Sequence, residues 1–452
     1  MASLSLPGGF SSALSRAGKY RSQGLPWIGK GSLAVLDQAL ISGSNFLIGV
    51  LLARWLAPDQ YGAYALAFSI FLFLSGFHNA LFLEPMSVLG PASYGDRLLS
   101  YVGKLVRLHF ALAIGLSALT VAGIILLHHF TAYRAVTSAL WGVCLATPFV
   151  LLFWLCRRAV YLRLAPHLAA GGASAYCLVV VGLLLVTRSL GWLGSFTAFL
   201  IQSLAALAAA GLLLAAMRPK GDSPSGPSSL AVVRQHWRYG RWALGTQGVY
   251  WLSGNAYYVI VAAFLRIQDA AALRALQNFT LPFTQFLSAL SLLALPWASA
   301  RYAKESLRDF QRRIRYLTLL FVGLASAYYL VLCGLGGSIM RLVYAGRYSE
   351  FAYLLALVTG PVLVLAFSQG STIAVQAMQA PAEVFLAYSV AGTLTVVAGV
   401  ALARTWGLPG ALTGMLASSL GFCIVISWRF RKRLRMAKLE SESMATCAAE
   451  TM

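Results

Sequence analysis

Acidic residues are scarce in this sequence, which has 13 Asp and Glu against 35 Lys and Arg in 452 residues. A Gly-rich phosphate loop, a Walker-type Lys and a catalytic Ser motif are all missing, which excludes an ATP-driven pump in one chain. None of the six Cys residues is spaced as CxxC, so we expect neither a disulfide framework nor a metal centre. No cofactor is expected either.

Long apolar runs are what the sequence has instead. A helix needs roughly 20 apolar residues to cross a bilayer, and the chain contains twelve such runs. This predicts an all-α integral membrane protein with about 12 transmembrane helices. The runs are Leu33 to Ala53, Tyr64 to Leu83, Leu108 to Leu127, Val136 to Leu155, Leu168 to Thr187, Leu193 to Met217, Trp242 to Leu265, Leu276 to Pro296, Leu317 to Ile339, Ala352 to Val375, Val384 to Ala403 and Leu408 to Trp428.

Basic residues collect in alternate gaps between these runs. Because short loops rich in Lys and Arg stay cytoplasmic, both termini are predicted inside. The gap Gln376 to Glu383 breaks the pattern, since it should be cytoplasmic but has no Lys or Arg. Charge in short membrane-flanking loops favours anionic lipid headgroups as partners and excludes nucleic acid. The outward gaps hold only Arg54, Arg134, Arg188, Arg266, Arg274, Arg341, Arg347 and Arg404.

Loop composition divides the chain into two halves of six spans each. Residues 1–30 form a basic cytoplasmic arm without the apolar core of a signal peptide. The first lobe is predicted at 31–217, a Gly-, Ser- and Pro-containing cytoplasmic linker at 218–241, and the second lobe at 242–428. A basic cytoplasmic tail follows at 429–452. All outward gaps are short, which disfavours an enzyme.

An internal repeat relates the two halves. Two six-span lobes of the same orientation, related by an axis along the membrane normal, leave a central cavity between them. Chance similarity between apolar helices is the alternative explanation. A shift of 210 residues aligns Asn45 with Asn255, Ala53 with Ala263, Asp59 with Asp269, Ala65 with Ala275 and Leu66 with Leu276.

Polar residues inside the runs concentrate in spans one, two, seven and eight. Such residues are costly in a bilayer and tend to face a bundle interior or a hydrated cavity. Individually each could make a helix–helix hydrogen bond, but their concentration favours a shared cleft. Arg274, just before the eighth run, either reaches back to the interface or faces the cleft as a phosphate ligand. The cleft candidates are Arg274, Arg54, Arg266, Asn45, Asn255, Gln277, Asn278, Gln247, His78 and Asn79.

The segment Asp37 to Ala67 resembles the opening of polysaccharide-biosynthesis flippases of the multidrug, oligosaccharidyl-lipid and polysaccharide (MOP) exporter superfamily. The family pattern has an Asn in its first helix, then Ala-Arg, then a Leu-x-Pro-x-x-Tyr-Gly turn. Leu83 to Met86 also resembles its exopolysaccharide branch. The second half has Ala263-Phe264 where the first has Ala-Arg. The matching residues are Asn45, Ala53, Arg54, Leu56, Pro58, Tyr61 and Gly62.

This resemblance implies a transporter of the bacterial inner membrane. It would move an undecaprenyl-diphosphate-linked oligosaccharide to the periplasmic leaflet by alternating access, alongside other polysaccharide-assembly proteins. We expect Arg274, Arg54 and Arg266, in that order, to bind the diphosphate. Proton or sodium exchange through Asp37 or Glu84 could drive the cycle, although Asp37 could instead cap a helix and Glu84 could be interfacial.

Three other functions remain open. A cation-coupled multidrug antiporter of the same superfamily should have a buried acid for cationic drugs, and intramembrane acids are few here. A membrane glycan polymerase or transferase is disfavoured by the short outward loops. A non-transporting assembly subunit has no feature against it.

Overall fold

The computed structural model describes residues 24–128, 134–219 and 228–450, and this part of the chain is helical without any strand. Fifteen α-helices follow one another, which we number in chain order. They are α1 Gly24–Trp55, α2 Pro58–His78, α3 Glu84–Tyr94, α4 Leu98–His128, α5 Arg134–Leu162, α6 Pro166–Ser189, α7 Ser195–Met217, α8 Ser229–Gly254, α9 Ala256–Phe264, α10 Ile267–Asn278, α11 Leu281–Tyr302, α12 Leu307–Tyr344, α13 Leu355–Ala377, α14 Pro381–Leu394 and α15 Val400–Glu450.

Each predicted apolar run has a helical counterpart. Ten helices of the described residues are long and apolar enough to cross a membrane. The last, Pro381–Leu439, has 59 residues and is broken at Gly407, whose φ of 64° is not helical, so it supplies two spans. The seventh run corresponds to α8, which contains many polar residues, and to α9, which is apolar but only nine residues long. The all-helical, multi-span fold is therefore confirmed.

Two spans contain a π-helical segment. Asn79–Leu83 joins α2 to α3, and Thr395–Gly399 joins α14 to α15. A π-helical turn widens the helix by one residue and leaves backbone groups free for other partners, and such turns are frequent at functional sites. The first segment contacts α8, so it lies where the two halves of the chain meet.

Helices extend past three of the predicted domain boundaries, and the division into domains stays a prediction. The arm was predicted to extend to residue 30, but α1 begins at Gly24. The linker 218–241 ends early, because α8 begins at Ser229, where the Ser228 hydroxyl accepts a hydrogen bond from the backbone N–H of Ala231 at 3.1 Å. The tail 429–452 is mostly helical, since α15 continues to Glu450. Residues 1–23 and 220–227 of these segments lie outside the described part.

Contacts between loops group them by side as the charge alternation predicts. Arg347, between α12 and α13, donates to the Leu56 carbonyl in the α1–α2 turn at 2.6 Å. On the opposite side, Glu383 at the start of α14 lies 2.8 Å from Arg429 and 2.9 Å from Arg433 in the predicted tail. We call these the turn side and the termini side. That the termini side is cytoplasmic stays a prediction.

The core crosses between the two halves of the chain. One large apolar cluster contains residues of α1 to α7 together with residues of α9, α10, α12 and α13, whereas a smaller one lies wholly within α11 to α15. The close contact of α2 with α10 is central to the large cluster. It brings Tyr61 of the motif, which is fully buried, against α10.

Candidate functional site

Arg274 lies inside the protein, on α10, with only 6% of its surface exposed. It is eight residues beyond Arg266, the residue before α10, which places it roughly 12 Å along the helix at 1.5 Å per residue. Its guanidinium stacks on the Phe68 ring of α2 at 4.7 Å. This position excludes the alternative in which Arg274 reaches back to the membrane interface.

Tyrosines surround this guanidinium, and no carboxylate among the described residues pairs with it. Its Nη1 lies 3.5 Å from the hydroxyl of Tyr258, and Tyr61 and Tyr64 are its other tyrosine neighbours. Its Nε is buried without a hydrogen-bond partner. A buried cation is normally paired, because its desolvation is costly. The Arg274 site therefore has an unused capacity to bind an anion.

Asn278 lies one helical turn after Arg274 and is fully buried. Its Nδ2 donates to the hydroxyls of Tyr61 at 3.0 Å and Tyr344 at 3.2 Å. Those hydroxyls in turn donate to backbone carbonyls of Gly49 and Ala275. Asn278 thus ties α10 to α2 and α12. We call Arg274, Asn278, Tyr61, Tyr64 and Tyr258 the arginine–tyrosine cluster.

Gln277 also belongs beside this cluster. Its side-chain oxygen accepts a hydrogen bond from the Tyr258 hydroxyl, and its Nε2 donates weakly to the sulfur of Met415 at 3.5 Å. The predicted cleft residues Arg274, Gln277 and Asn278 are therefore brought together by one stretch of α10.

The other two predicted arginines do not join them. Arg54 is exposed in the last turn of α1. Arg266 is also exposed, and its side chain lies 3.4 Å from Asp269, whose carboxylate caps the start of α10 by accepting from the Arg266 backbone N–H at 3.0 Å. Both arginines lie at helix ends on the turn side, where they flank the apolar segments. The structure does not bring them to Arg274.

The aligned asparagines Asn45 and Asn255 occupy different environments. Asn45 is exposed in the unbroken helix α1. Asn255 lies at the break between α8 and α9, where its carbonyl accepts from the Ser69 hydroxyl at 2.7 Å. Asp59 and Asp269, in contrast, both lie in the first turn of a helix. The repeat therefore aligns helix starts better than it aligns polar side chains.

Glu84 forms a second cluster across the two halves, near the termini side. Its carboxylate accepts from Nδ2 of Asn79 at 2.8 Å and from Nε2 of Gln247 at 3.1 Å. Since Glu84 follows Tyr61 by 23 residues along one span, the two residues are roughly 35 Å apart along the helix axis. The side-chain amides of Asn79 and Gln247, both predicted to line the cleft, thus donate hydrogen bonds to the Glu84 carboxylate.

Asp37 is fully buried and ion-paired. Nε of Arg157 donates to it at 2.8 Å, and the Tyr161 hydroxyl donates at 2.5 Å. The alternative role as a helix cap is wrong, because α1 begins 13 residues earlier, at Gly24. Sequence reasoning missed Arg157, which it counted as a loop charge at the end of the fourth run.

His78 is fully buried at the end of α2, and its partner is His109 of α4. This pair could not be predicted from the residue pattern, because His109 falls inside an otherwise apolar run. The tyrosines around Arg274 were missed for a similar reason. Tyr61 stood in the quoted motif, but nothing in its spacing connected it with Arg274.

The helices are arranged as in solved structures of membrane transporters, which the chain resembles at 11–13% sequence identity. These structures include transporters of the MOP superfamily, and the likeness is one of fold. No protein-family model and no curated protein sequence matches the chain.

Three of these structures illustrate the likeness. A multidrug resistance MATE family transporter of the MOP superfamily, in an inward-facing conformation, has a TM-score of 0.71 and 13% identity, covering 90% of this chain and 99% of that one. The lipid II flippase MurJ, in an inward closed conformation, has a TM-score of 0.66 and 11% identity, covering 94% and 93%. A MOP superfamily transporter from Pyrococcus furiosus has 0.66 and 13%, covering 90% and 96%.

Proposed function

We propose that this protein is a flippase that moves an undecaprenyl-diphosphate-linked oligosaccharide from the cytoplasmic to the periplasmic leaflet, for surface polysaccharide synthesis. The observation that carries the proposal is Arg274, a buried cation at the contact between the two halves that pairs with no carboxylate of the described residues. A diphosphate offers the oxygen pairs that a guanidinium binds bidentately.

The cluster around Arg274 also suits a sugar headgroup. Sugar hydroxyls cannot cross hydrocarbon without replacement of their hydrogen bonds to water. The hydroxyl groups of Tyr64 and Tyr258 lie beside the guanidinium. The amide of Gln277 is within one helical turn of Arg274 and accepts a hydrogen bond from the Tyr258 hydroxyl. Aromatic rings and amides are suitable partners for sugars, and the lipid tail would stay in the bilayer.

Direction is favoured by the membrane potential. An anion that leaves an inside-negative compartment gains about 2.3 kcal/mol per charge for each 100 mV. An additional coupling ion, proton or sodium, would add to this.

The second candidate is a cation-coupled multidrug antiporter, favoured by the likeness to the MATE transporter at a TM-score of 0.71. Such a site needs an acid that is free for cationic drugs. Asp37 is already paired with Arg157, and Glu84 is bonded to two amides. For this reason we place the flippase first.

The test is complementation of a deletion strain. We expect loss of surface polysaccharide and accumulation of cytoplasm-facing lipid-linked oligosaccharide in the deletion. Arg274→Ala should fail to complement at unchanged protein level, and Arg274→Lys should complement poorly because it loses the planar fork. Arg404→Ala is the matched control, since Arg404 also stacks on a phenylalanine, at 4.2 Å from Phe264, but is exposed.

Two results would reject the proposal. Normal surface polysaccharide in the deletion strain would remove the flippase function. Extrusion of cationic dyes by proteoliposomes under a sodium gradient would establish the antiporter instead.

A further inference from the structure

A pair of buried histidines joins three helices of the first half. Nε2 of His78, at the end of α2, lies 3.1 Å from Nδ1 of His109 in α4. Nε2 of His109 lies 2.9 Å from the backbone carbonyl of Pro148 in α5. Neither ring is exposed. Nothing in the proposed binding of the lipid-linked sugar uses this pair.

The hydrogen bonds fix where the protons are. A carbonyl oxygen only accepts, so Nε2 of His109 carries a proton and, in the neutral ring, Nδ1 is a bare acceptor. His78 must then donate from its Nε2. Its own Nδ1 is left as a buried lone pair, and this atom has no hydrogen-bond partner among the described residues. Among the four ring nitrogens of the pair, only Nδ1 of His78 therefore has no hydrogen-bond partner in the described part of the chain, and this nitrogen can accept a proton.

No charged side chain of the described residues forms a hydrogen bond with Nδ1 of His78. Glu84, beyond the π-helical segment, is engaged by Asn79 and Gln247. No carboxylate among the described residues contacts either imidazole. Other ionisable side chains on the helices packed around the pair include Tyr101, Lys104 and Arg107 on α4, Arg157, Arg158 and Tyr161 on α5, and Arg234, His236, Arg238, Tyr239 and Arg241 on α8.

The pair is also connected to the second half of the chain. His78 directly precedes the π-helical segment Asn79–Leu83 and stacks on its Phe82. His236 of α8 holds the same segment, since its Nδ1 donates to the Leu81 carbonyl at 2.7 Å while its Nε2 accepts from the Tyr101 hydroxyl at 2.6 Å. At Gly240, a Cβ atom would lie 2.5 Å from the Ala80 carbonyl oxygen.

We propose that the His78–His109 pair is a proton-binding site that couples proton uptake to separation of α8 from the π-helical segment. A proton from water adds to the lone pair of His78 Nδ1 and makes that ring an imidazolium. The new N–H and the charge are buried without an acceptor, which is strongly unfavourable. The protonated protein therefore favours an arrangement in which the segment opens and water reaches His78.

This inference rests on the proposed function, because it supplies the coupling ion for the flippase. It assigns that role to two histidines rather than to Asp37 or Glu84, whose carboxylates already have partners. The neutral pair stabilises the arrangement described above, in which α8 contacts the segment.

The test measures a distance between the two halves at two pH values. Spin labels at His167→Cys and Arg308→Cys, both exposed on the termini side, are introduced after replacement of the native cysteines by serine. Double electron–electron resonance of the purified protein is recorded at about pH 5 and about pH 8, on either side of imidazole titration. We expect a second, longer distance at the lower pH.

Histidine variants decide the assignment. In His78→Gln the distance distribution should be the same at both pH values, whereas His109→Gln keeps the lone pair of His78 Nδ1 and should keep a pH-dependent distance. Thr395→Val is the control, since it removes a buried hydroxyl contact with Ser418 but no titratable group, and it should keep the shift. A pH-dependent distance that persists in His78→Gln, or its absence in the wild type, would overturn the proposal. Since no oligosaccharide is present, this outcome is independent of the complementation result.

Discussion

Gly62 and Ile267 bring the two halves of the chain into backbone contact. A Cβ atom at position 62 would lie 1.9 Å from the carbonyl oxygen of Ile267, so only glycine fits. Gly62 is in the first turns of α2 and Ile267 begins α10. The glycine of the Tyr-Gly turn therefore has a packing role, which is to let two helix starts meet on the turn side.

Gly62→Ala should weaken this contact. The helices must move apart to admit the methyl group, and overpacking of this kind typically costs about 1–3 kcal/mol. We expect a lower thermal unfolding temperature of the purified protein. Gly43→Ala is the control, because no atom lies within 4 Å of its added Cβ and alanine favours a helix. Equal unfolding temperatures for the two variants would contradict the packing role.

Asn278→Asp should be more disruptive than its size suggests. The hydroxyls of Tyr61 and Tyr344 already donate to backbone carbonyls, so they need the amide as a donor. A carboxylate cannot donate, and two buried acceptors lose their partner at about 1–3 kcal/mol each. Thermal unfolding checks this, with the exposed Asn45→Asp as control. An Asn278→Asp protein as stable as the wild type would refute the hydrogen-bond assignment.

The substitution Asp37→Asn tests whether the role of Asp37 is structural or lies in ion coupling. If the pair with Arg157 is structural, the substitution should cost about 3 kcal/mol or less, because Arg157 keeps a side-chain exposure of 18%. The double variant Asp37→Asn, Arg157→Met should cost less than the sum of the two single variants. A stable Asp37→Asn protein that loses transport would instead assign ion coupling to Asp37.

Membrane orientation follows from the basic loops. Single cysteines at Trp192 in the α6–α7 turn and at Lys304 between α11 and α12 both lie at exposed positions. Because loops rich in Lys and Arg stay cytoplasmic, a membrane-impermeant maleimide should label position 192 in intact cells and position 304 only after permeabilisation. The reverse pattern would invert the predicted topology.

The sequence was sufficient to predict the helices but not their partners. Apolar runs report burial in lipid or protein, so the spans could be counted directly. The charge of Arg157 could not be connected with Asp37, because the two residues are 120 positions apart and belong to different predicted spans. Contacts of this kind depend on how helices pack, which the order of residues does not specify.

The candidate site was predicted only in part. Arg274, Gln277 and Asn278 lie together because they share one stretch of helix, which sequence spacing can reveal. Arg54 and Arg266 were grouped with them because of their charge and because they flank the repeated helix pairs, but both lie exposed at helix ends. His109 and the tyrosines around Arg274 were not predicted as site residues, because each is compatible with an apolar helix.

The pairing of Glu383 with Arg429 and Arg433 has a consequence for biosynthesis. The α13–α14 turn carries no Lys or Arg, so this hairpin leaves the ribosome without a charge of its own to retain it in the cytoplasm. The arginines that neutralise Glu383 are translated about 50 residues later. With the termini side cytoplasmic, as predicted, we expect the last spans to reach their final orientation only after Arg429 and Arg433 have been synthesised.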